Sequence, residues 1–391
     1  MFKKRFITTF SFLLASTAIA APSGKGHTHT ADSGLCEHSK EEFFTGHIHT
    51  INHFDFNENN QKVAKTHTHA DFMLNFTDKI GVFVGLKLEQ DHSHGHEEHG
   101  GGGHDDEDTD NKYFEDHVLY IDQLYLDLVL VEDLSLQAGK MRIPLGFGLH
   151  EYPGYYGYEV QEELMLLEKI AFNLKYAMNL DNGSVLTLDA STFFSDTTLN
   201  ESAINDRDGG DIDHKDGGPA NTEDFSSYAL GFRLDNLYFM SDEYIHEFVV
   251  LGGYALQAEA DYSDEHGDDE ERFVLGGKYI FHYDENIRMS LMNEVVDISS
   301  VGAESEYDMT AINWGAQFTY YNWRVGGTYT DYLQDHEEAD EEHNGRHVQV
   351  SAGYYFDFGL GVEVGYQKLK EVGEEDDSEG PGISLSYVYE F

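Results

Sequence analysis

The stretch that most constrains this chain is its last nine residues, Ile383-Ser384-Leu385-Ser386-Tyr387-Val388-Tyr389-Glu390-Phe391. Apolar or aromatic groups recur at every second position, and Ser384, Ser386 and Glu390 fill most of the positions between. Successive side chains of a strand point to opposite faces, so a period of two with one apolar face specifies a strand. The same alternation returns upstream. Ile312, Trp314, Ala316, Phe318 and Tyr320 alternate with Asn313, Gly315, Gln317 and Thr319. Val348, Val350, Ala352, Tyr354 and Phe356 do so with His347, Gln349, Ser351, Gly353 and Asp357, and Leu360, Val362, Val364 and Tyr366 with Gly361, Glu363, Gly365 and Gln367. Nearer the start, Phe44, Gly46, Ile48, Phe54 and Phe56 share one face, and His47, His49, His53 and Asp55 the other. Over 65–76, Ala70, Phe72, Leu74 and Phe76 lie opposite His67, His69, Asp71 and Asn75.

The breaks between these segments have a rhythm. Short turns fall near Thr77-Asp78-Lys79, Glu132-Asp133, Asp181-Asn182-Gly183, Asn236–Tyr244, Asp284-Glu285-Asn286, Tyr321-Asn322 and Asp357-Phe358-Gly359. Longer polar loops fall near 57–64, 91–115, 146–164, 196–224, 261–271, 300–307, 335–345 and 372–380. Seven short turns interleaved with eight longer loops connect sixteen strands. The pattern predicts an all-β fold, a transmembrane antiparallel up-and-down barrel with apolar faces on lipid and polar faces on a wet lumen. Short turns and both termini belong on the periplasmic side, and long acidic loops outside. Sixteen strands leave an aqueous channel where eight are filled by side chains. Gly276, Gly315, Gly326, Gly353, Gly361 and Gly365 on the inward parity provide room.

Composition agrees. Mean hydrophobic content is 40%, aromatics reach 14%, and after the start there is no continuous apolar run of the roughly 18 residues a membrane helix needs. A barrel needs none, because only alternate residues meet lipid. At the start, Lys3, Lys4 and Arg5 precede an apolar stretch from Phe6 to Ile19, and Ala18-Ile19-Ala20 offers small residues for cleavage. Residues 1–20 are therefore expected to be a signal peptide, 21–42 a flexible periplasmic segment, and 43–391 the barrel. The formal charge of −50 excludes nucleic acid as a partner and makes cations the natural one. A single cysteine, Cys36, excludes an internal disulfide framework.

Three stretches carry chemistry. The second long loop holds His92, His94, His96, His99 and His104 among acidic residues and a Gly100–Gly103 run. Neutral imidazole favours Zn²⁺, Cu²⁺ or Ni²⁺, and carboxylates add harder ligands. This composition reads as a flexible tether that captures divalent transition metal for short periods, with no resident cofactor required. The alternative is a solvated low-complexity loop. The first hairpin adds His47, His49, His53, His67 and His69 on the lumen parity. With a turn centred near Asn60, His53 lies opposite His67 and His49 opposite Asp71, forming a stepping path for an ion along the wall. His117, His336, His343 and His347, near other loop bases, extend that path. Acidic runs at 264–271, 335–343 and 374–377 concentrate cations at the mouth and bridge lipopolysaccharide phosphates through divalent ions.

The third stretch runs from Leu136 to Gly148. Leu134, Leu136 and Ala138 share the lipid parity with Lys140 and Arg142, and bare charges toward lipid are costly. A bulge at Gly139 is expected to swing both bases inward. They then face the Tyr-, Gly- and Pro-rich third loop (Tyr155 and Tyr156 within it), folded into the lumen as a constriction.

A resemblance attaches to these residues. The run Tyr120-Ile121-Asp122-Gln123-Leu124-Tyr125-Leu126 followed by Gly139-Lys140-Met141-Arg142-Ile143-Pro144-Leu145-Gly146 resembles a pattern in porin-like outer-membrane proteins. It is similar to phosphate-selective-type porins, to the siderophore porins typified by the legiobactin receptor, and to His-rich zinc-regulated outer-membrane proteins. The Tyr-x-Phe terminus resembles the closing strand read by the barrel-assembly machinery. The resemblance implies a Gram-negative outer-membrane location; the acidic charge argues against carrying over anion specificity. Three functions follow in order: a passive cation-favouring channel with metal capture at its mouth, a TonB-independent receptor or porin for a siderophore or metal chelate, and a structural or adhesive barrel. No catalytic constellation is expected, and monomer and homotrimer both stay open.

Overall fold

The computed structural model describes residues 43–56, 62–90, 112–114, 116–155, 157–199, 201–205, 217–240, 244–260, 267–304, 307–336, 343–370 and 378–391. The expected leader, the 21–42 segment, the loop histidines His92, His94, His96, His99 and His104, Tyr156, and much of the acidic runs lie outside them. Seventeen strand segments form one sheet. They are β1 (Phe44–Phe56), β2 (Lys62–Thr77), β3 (Ile80–Gln90), β4 (Lys112–Tyr113), β5 (His117–Val131), β6 (Leu134–Ile143), β7 (Leu166–Asn179), β8 (Val185–Ser195), β9 (Ser227–Met240), β10 (Ile245–Gln257), β11 (Glu270–His282), β12 (Ile287–Ser299), β13 (Tyr307–Tyr320), β14 (Trp323–His336), β15 (His343–Tyr355), β16 (Leu360–Lys370) and β17 (Ser378–Glu390). The two-residue β4 lies parallel to β2 above the end of β3. The other sixteen are antiparallel neighbours in chain order, and β1 pairs with β17 to close the barrel.

Closure follows from the alternation. Trp314, Phe318 and Tyr320 of β13 are exposed on the outer wall, while Asn313 is fully buried within. Val350, Val364, Ile383, Leu385 and Tyr387 are exposed in the same way. Such a wall is stable only where the outside is lipid, and lipid in turn requires every backbone group to be paired inside the sheet. Among the described residues no helix is long and apolar enough to cross a membrane. Aromatics cluster at the short-turn rim: Trp323 packs edge-on to Tyr354, Phe356 on Phe358, and Tyr320 on Tyr321. Phe391 belongs to this belt. Its ring lies on Phe44, Phe72 and Tyr389, and its backbone exchanges hydrogen bonds with Gly46 at 3.0 and 3.1 Å, locking the β1–β17 seam.

Among the described residues, the six short turns at 77–79, 132–133, 181–183, 284–286, 321–322 and 357–359 lie on one side of the barrel, as the sequence predicts. Several boundaries differ by a few residues, among them those of β15 and β17, which start at His343 and Ser378. Asn236 lies inside β9, in a left-handed conformation (φ 57), where a bulge shifts the register against Phe248 and Val250; the turn begins only after Met240. β2 starts at Lys62, so the loop after β1 is shorter than 57–64.

The lumen is not left to water at mid-height. After Ile143, Pro144 cannot donate to the ladder, the register against β7 shifts between Met141 and Ile143, and the chain turns inward. Residues 144–165 cross the barrel and include α1 (Gly157–Leu164). The inward glycines are their seat. A Cβ at Gly231 would lie 2.8 Å from the Pro144 carbonyl oxygen, at Gly276 2.9 Å from Phe147, at Gly315 2.8 Å from Pro153, and at Gly365 3.1 Å from Tyr155. So the room predicted at Gly276, Gly315, Gly326 and Gly365 is taken by chain. Leu145, Phe147, Tyr152, Val160 and Leu164 are buried there with Val274, Met292 and Val296 of the wall. Each such side chain contributes about 1.5–3 kcal/mol. Gly315→Val is expected to lower barrel stability in detergent by about 1–3 kcal/mol, because Pro153 cannot yield. The check is the heat- or urea-unfolding midpoint; an unchanged midpoint would mean that the segment is not seated on the wall.

Candidate metal centre in the barrel lumen

The β1–β2 ladder places its histidines inside, as their parity predicts, but with other partners. His49 pairs with His69, His47 with Asp71, and His53 with Lys65. The predicted His53–His67 and His49–Asp71 pairs are off by two residues. A two-residue slip keeps every side chain on its face, so facing was determined and partners were not. From His47 to His53 the imidazoles run roughly 20 Å along the inner wall.

The internal segment brings a further imidazole to them, His150. Its ring lies 4.9 Å from that of His49, 5.5 Å from His69 and 6.0 Å from His67. His67 and His69 are almost fully buried, with their Nε2 atoms 2.6 Å apart. Ligand nitrogens of His67, His69 and His150 all lie within 4.8 Å of one another, and the buried His150 Nε2 has no hydrogen-bond partner among the described residues. Burial first, then the neighbouring His49, His67 and Arg142, hold the His150 imidazole well below its ordinary pKa, so it is neutral. A second grouping joins His67 to Glu89 and Glu162. Tyr158 lies 4.5 Å from His67, and Tyr155 4.7 Å from His53, by ring centroid.

Ion pairs fix the internal segment against this wall. Glu159 of α1 meets Lys65, and Glu162 meets Lys87, each at 2.6 Å. On the far side Glu151 takes both Arg233 and Lys278 at 2.5 Å. Burial alone would raise the Glu151 carboxyl, but the two cations outweigh it and hold it below the ordinary carboxylate range. Tyr155 donates to Asp55 at 2.8 Å and to the Ile383 carbonyl at 3.1 Å, and Gln161 donates to the Gly148 carbonyl.

The two predicted constriction bases part company. Arg142 is in the lumen, 2.5 Å from Asp122 and 3.3 Å from His69 Nδ1. Lys140 is fully buried beneath 196–199, paired with Glu168 and Asp196 at 3.0 Å and donating to the Leu199 carbonyl. It does not face the internal segment, because β6 leaves the wall there and 202–205 bonds to the freed edge of β5 instead. Nor is the bulge at Gly139. That residue has φ 141, and a Cβ would lie 2.2 Å from the Leu124 carbonyl oxygen, yet both registers run through it. The register shift beside Arg142 falls between Met141 and Ile143 against β7, and a separate extra residue, Asp122, lies on β5 opposite Gly85 and Leu86 of β3. His117 caps backbone, accepting from the Thr66 amide at 2.9 Å, and His347 contacts Gln367 at 3.1 Å; neither joins the cluster.

His150, Glu89 and Glu162 are absent from the sequence reading, and Tyr158 enters it only as part of the tyrosine-rich third loop. Their signal is faint, since the internal segment has no strict period and its docking is set by wall glycines far away in sequence. Glu151→Gln leaves two cations buried without their carboxylate and is expected to cost about 3–5 kcal/mol. Differential scanning of the detergent-solubilised barrel checks it; a loss below about 1 kcal/mol would place the anchor elsewhere.

No protein-family model matches the chain, and no curated protein matches it in sequence. Solved structures do match in shape. The loop L8 deletion mutant of OmpT, an outer membrane protein of Vibrio cholerae, superposes with a TM-score of 0.51 at 12% identity over 88% of this chain and 98% of that one. In-vitro folded OmpT of the same organism gives 0.49 at 10% identity, over 88% and 96%. Pseudomonas aeruginosa OpdK with vanillate gives 0.47 at 12%, over 89% and 99%. Identities this low speak to fold alone: the chain shares with the first of these structures the fold of a closed antiparallel β-barrel, here of sixteen strands.

Proposed function

We propose that the protein is a passive outer-membrane channel that favours cations and takes up divalent transition metal. The observation that carries this reading is the column of lumen imidazoles on β1 and β2, met by His150 at the depth where residues 144–165 cross the barrel. Imidazole nitrogens are borderline ligands, and a series of them along one wall lets an ion leave each site for the next. The formal charge of −50 biases the mouth toward cations, and the 92–104 stretch carries five further histidines. In this reading the crossing segment is the constriction, with Tyr155 and Arg142 on its rim; Lys140 plays no part in it.

Planar-bilayer recording tests the proposal. The purified barrel is expected to conduct with a reversal potential favouring K⁺ over Cl⁻, and micromolar Zn²⁺ is expected to reduce the single-channel current. Deletion of 92–108 should weaken the Zn²⁺ response while leaving conductance near its original value. Absence of conductance, or anion preference, would refute the channel; an unaltered Zn²⁺ response after the deletion would remove metal capture from that loop.

A further inference from the structure

The pair His67–His69 is held in one protonation pattern by its neighbours. Arg142 has only N–H donors, so the contact to His69 Nδ1 at 3.3 Å makes that nitrogen an acceptor. The His69 proton then resides on Nε2 and is donated to His67 Nε2 across 2.6 Å. His67 in turn carries its proton on Nδ1, 3.5 Å from Glu89 Oε2, which is also 2.8 Å from Lys87. One proton thus sits where two imidazole lone pairs converge, with the His150 nitrogen close by.

We propose that His67, His69 and His150 together form a three-imidazole site for one borderline divalent cation, Zn²⁺ or Co²⁺, and that Arg142 is the positioning residue that sets its affinity. The ion takes the place of the shared proton. Three nitrogens on a tetrahedral ion lie roughly 3.3 Å apart, given metal–nitrogen bonds of about 2.0–2.1 Å. The His67 and His69 nitrogens open slightly and His150, on the internal segment, closes in. Glu89 against His67 Nδ1 is the usual outer partner of a ligating imidazole, fixing the tautomer that leaves Nε2 for metal. His69 must shift its proton from Nε2 to Nδ1, so no proton is lost overall. That new Nδ1–H opposes an Arg142 N–H, and the guanidinium turns away to Asp122, its partner at 2.5 Å. Arg142 therefore competes with the ion by geometry and by charge. Two ligands come from β2 and one from the crossing segment, so loading the site ties that segment to the wall.

The inference deepens the channel reading in its choice of ion, and its test is separate from conductance. The probe is Co²⁺, titrated into the full barrel in detergent and into the 92–108 deletion, followed by its ligand-field absorption and by Zn²⁺ displacement. One Co²⁺ per chain with the strong visible bands of a low-coordinate nitrogen site is expected in the deletion protein, and the same bands, beside further weak binding at the 92–104 histidines, in the full barrel. His150→Gln and His67→Gln should each lose on the order of 10–100-fold in affinity, with the heat-unfolding midpoint of the apo barrel retained in His150→Gln. Arg142→Gln should bind several-fold tighter. Weak six-coordinate absorption in the deletion protein, or affinity indifferent to His150, would overturn the site even if the barrel conducts cations. A non-conducting barrel that still binds one Co²⁺ would keep the site and discard the channel.

Discussion

The structure rests on the absence of water around its outer wall. In lipid no backbone donor or acceptor can be left over, so the sheet must end where it began. The β1–β17 pairing, nine residues long from His47↔Glu390 to Asp55↔Gly382, meets that demand. Alternation then follows as its side-chain counterpart: the face toward lipid is Trp314, Phe318, Val350 and Val364, and polar residues can be spent only on the inside. Apart from Lys140, covered by 196–199 with Glu168 and Asp196, the charge chemistry described above is thereby collected into one enclosed space.

That space is organised by opposition between wall and crossing segment. The segment brings acids, Glu151, Glu159 and Glu162, to bases on the wall, Arg233, Lys278, Lys65 and Lys87. It brings its apolar side chains to glycines, whose missing Cβ atoms allow backbone-to-backbone approach. Histidine is the exception, donated by both sides and matched with itself. An imidazole ring offers both a donor and an acceptor nitrogen, and this makes the His67–His69–His150 cluster a part of the described interface suited to exchange its occupant.

How much of this was legible in sequence depended on period. Strand number, facing, six of the short turns and the inward placement of His49, His67 and His69 all came from a repeat of two, which the bilayer enforces. Partners did not, since a hairpin two residues out of register satisfies the same alternation. The Lys140 and Arg142 problem was visible as a broken parity, yet its solution was not. The register slips against β7 between Met141 and Ile143, beside Arg142, and Lys140 is taken up by Glu168 and Asp196 from segments that no local pattern links to it. His150 was invisible for the same reason: only tertiary docking gives it neighbours.

The seam has a consequence in time. β1, which presents His49, is joined to β17, and Tyr155 of the crossing segment is tethered to the Ile383 carbonyl. The first and last strands must therefore meet before the interior is complete. Contacts of such long sequence separation form late, because loop closure comes first. A half-inserted chain would carry its polar lining on an open curved sheet with no inside at all, so sealing the cylinder and finishing its interior are a single event.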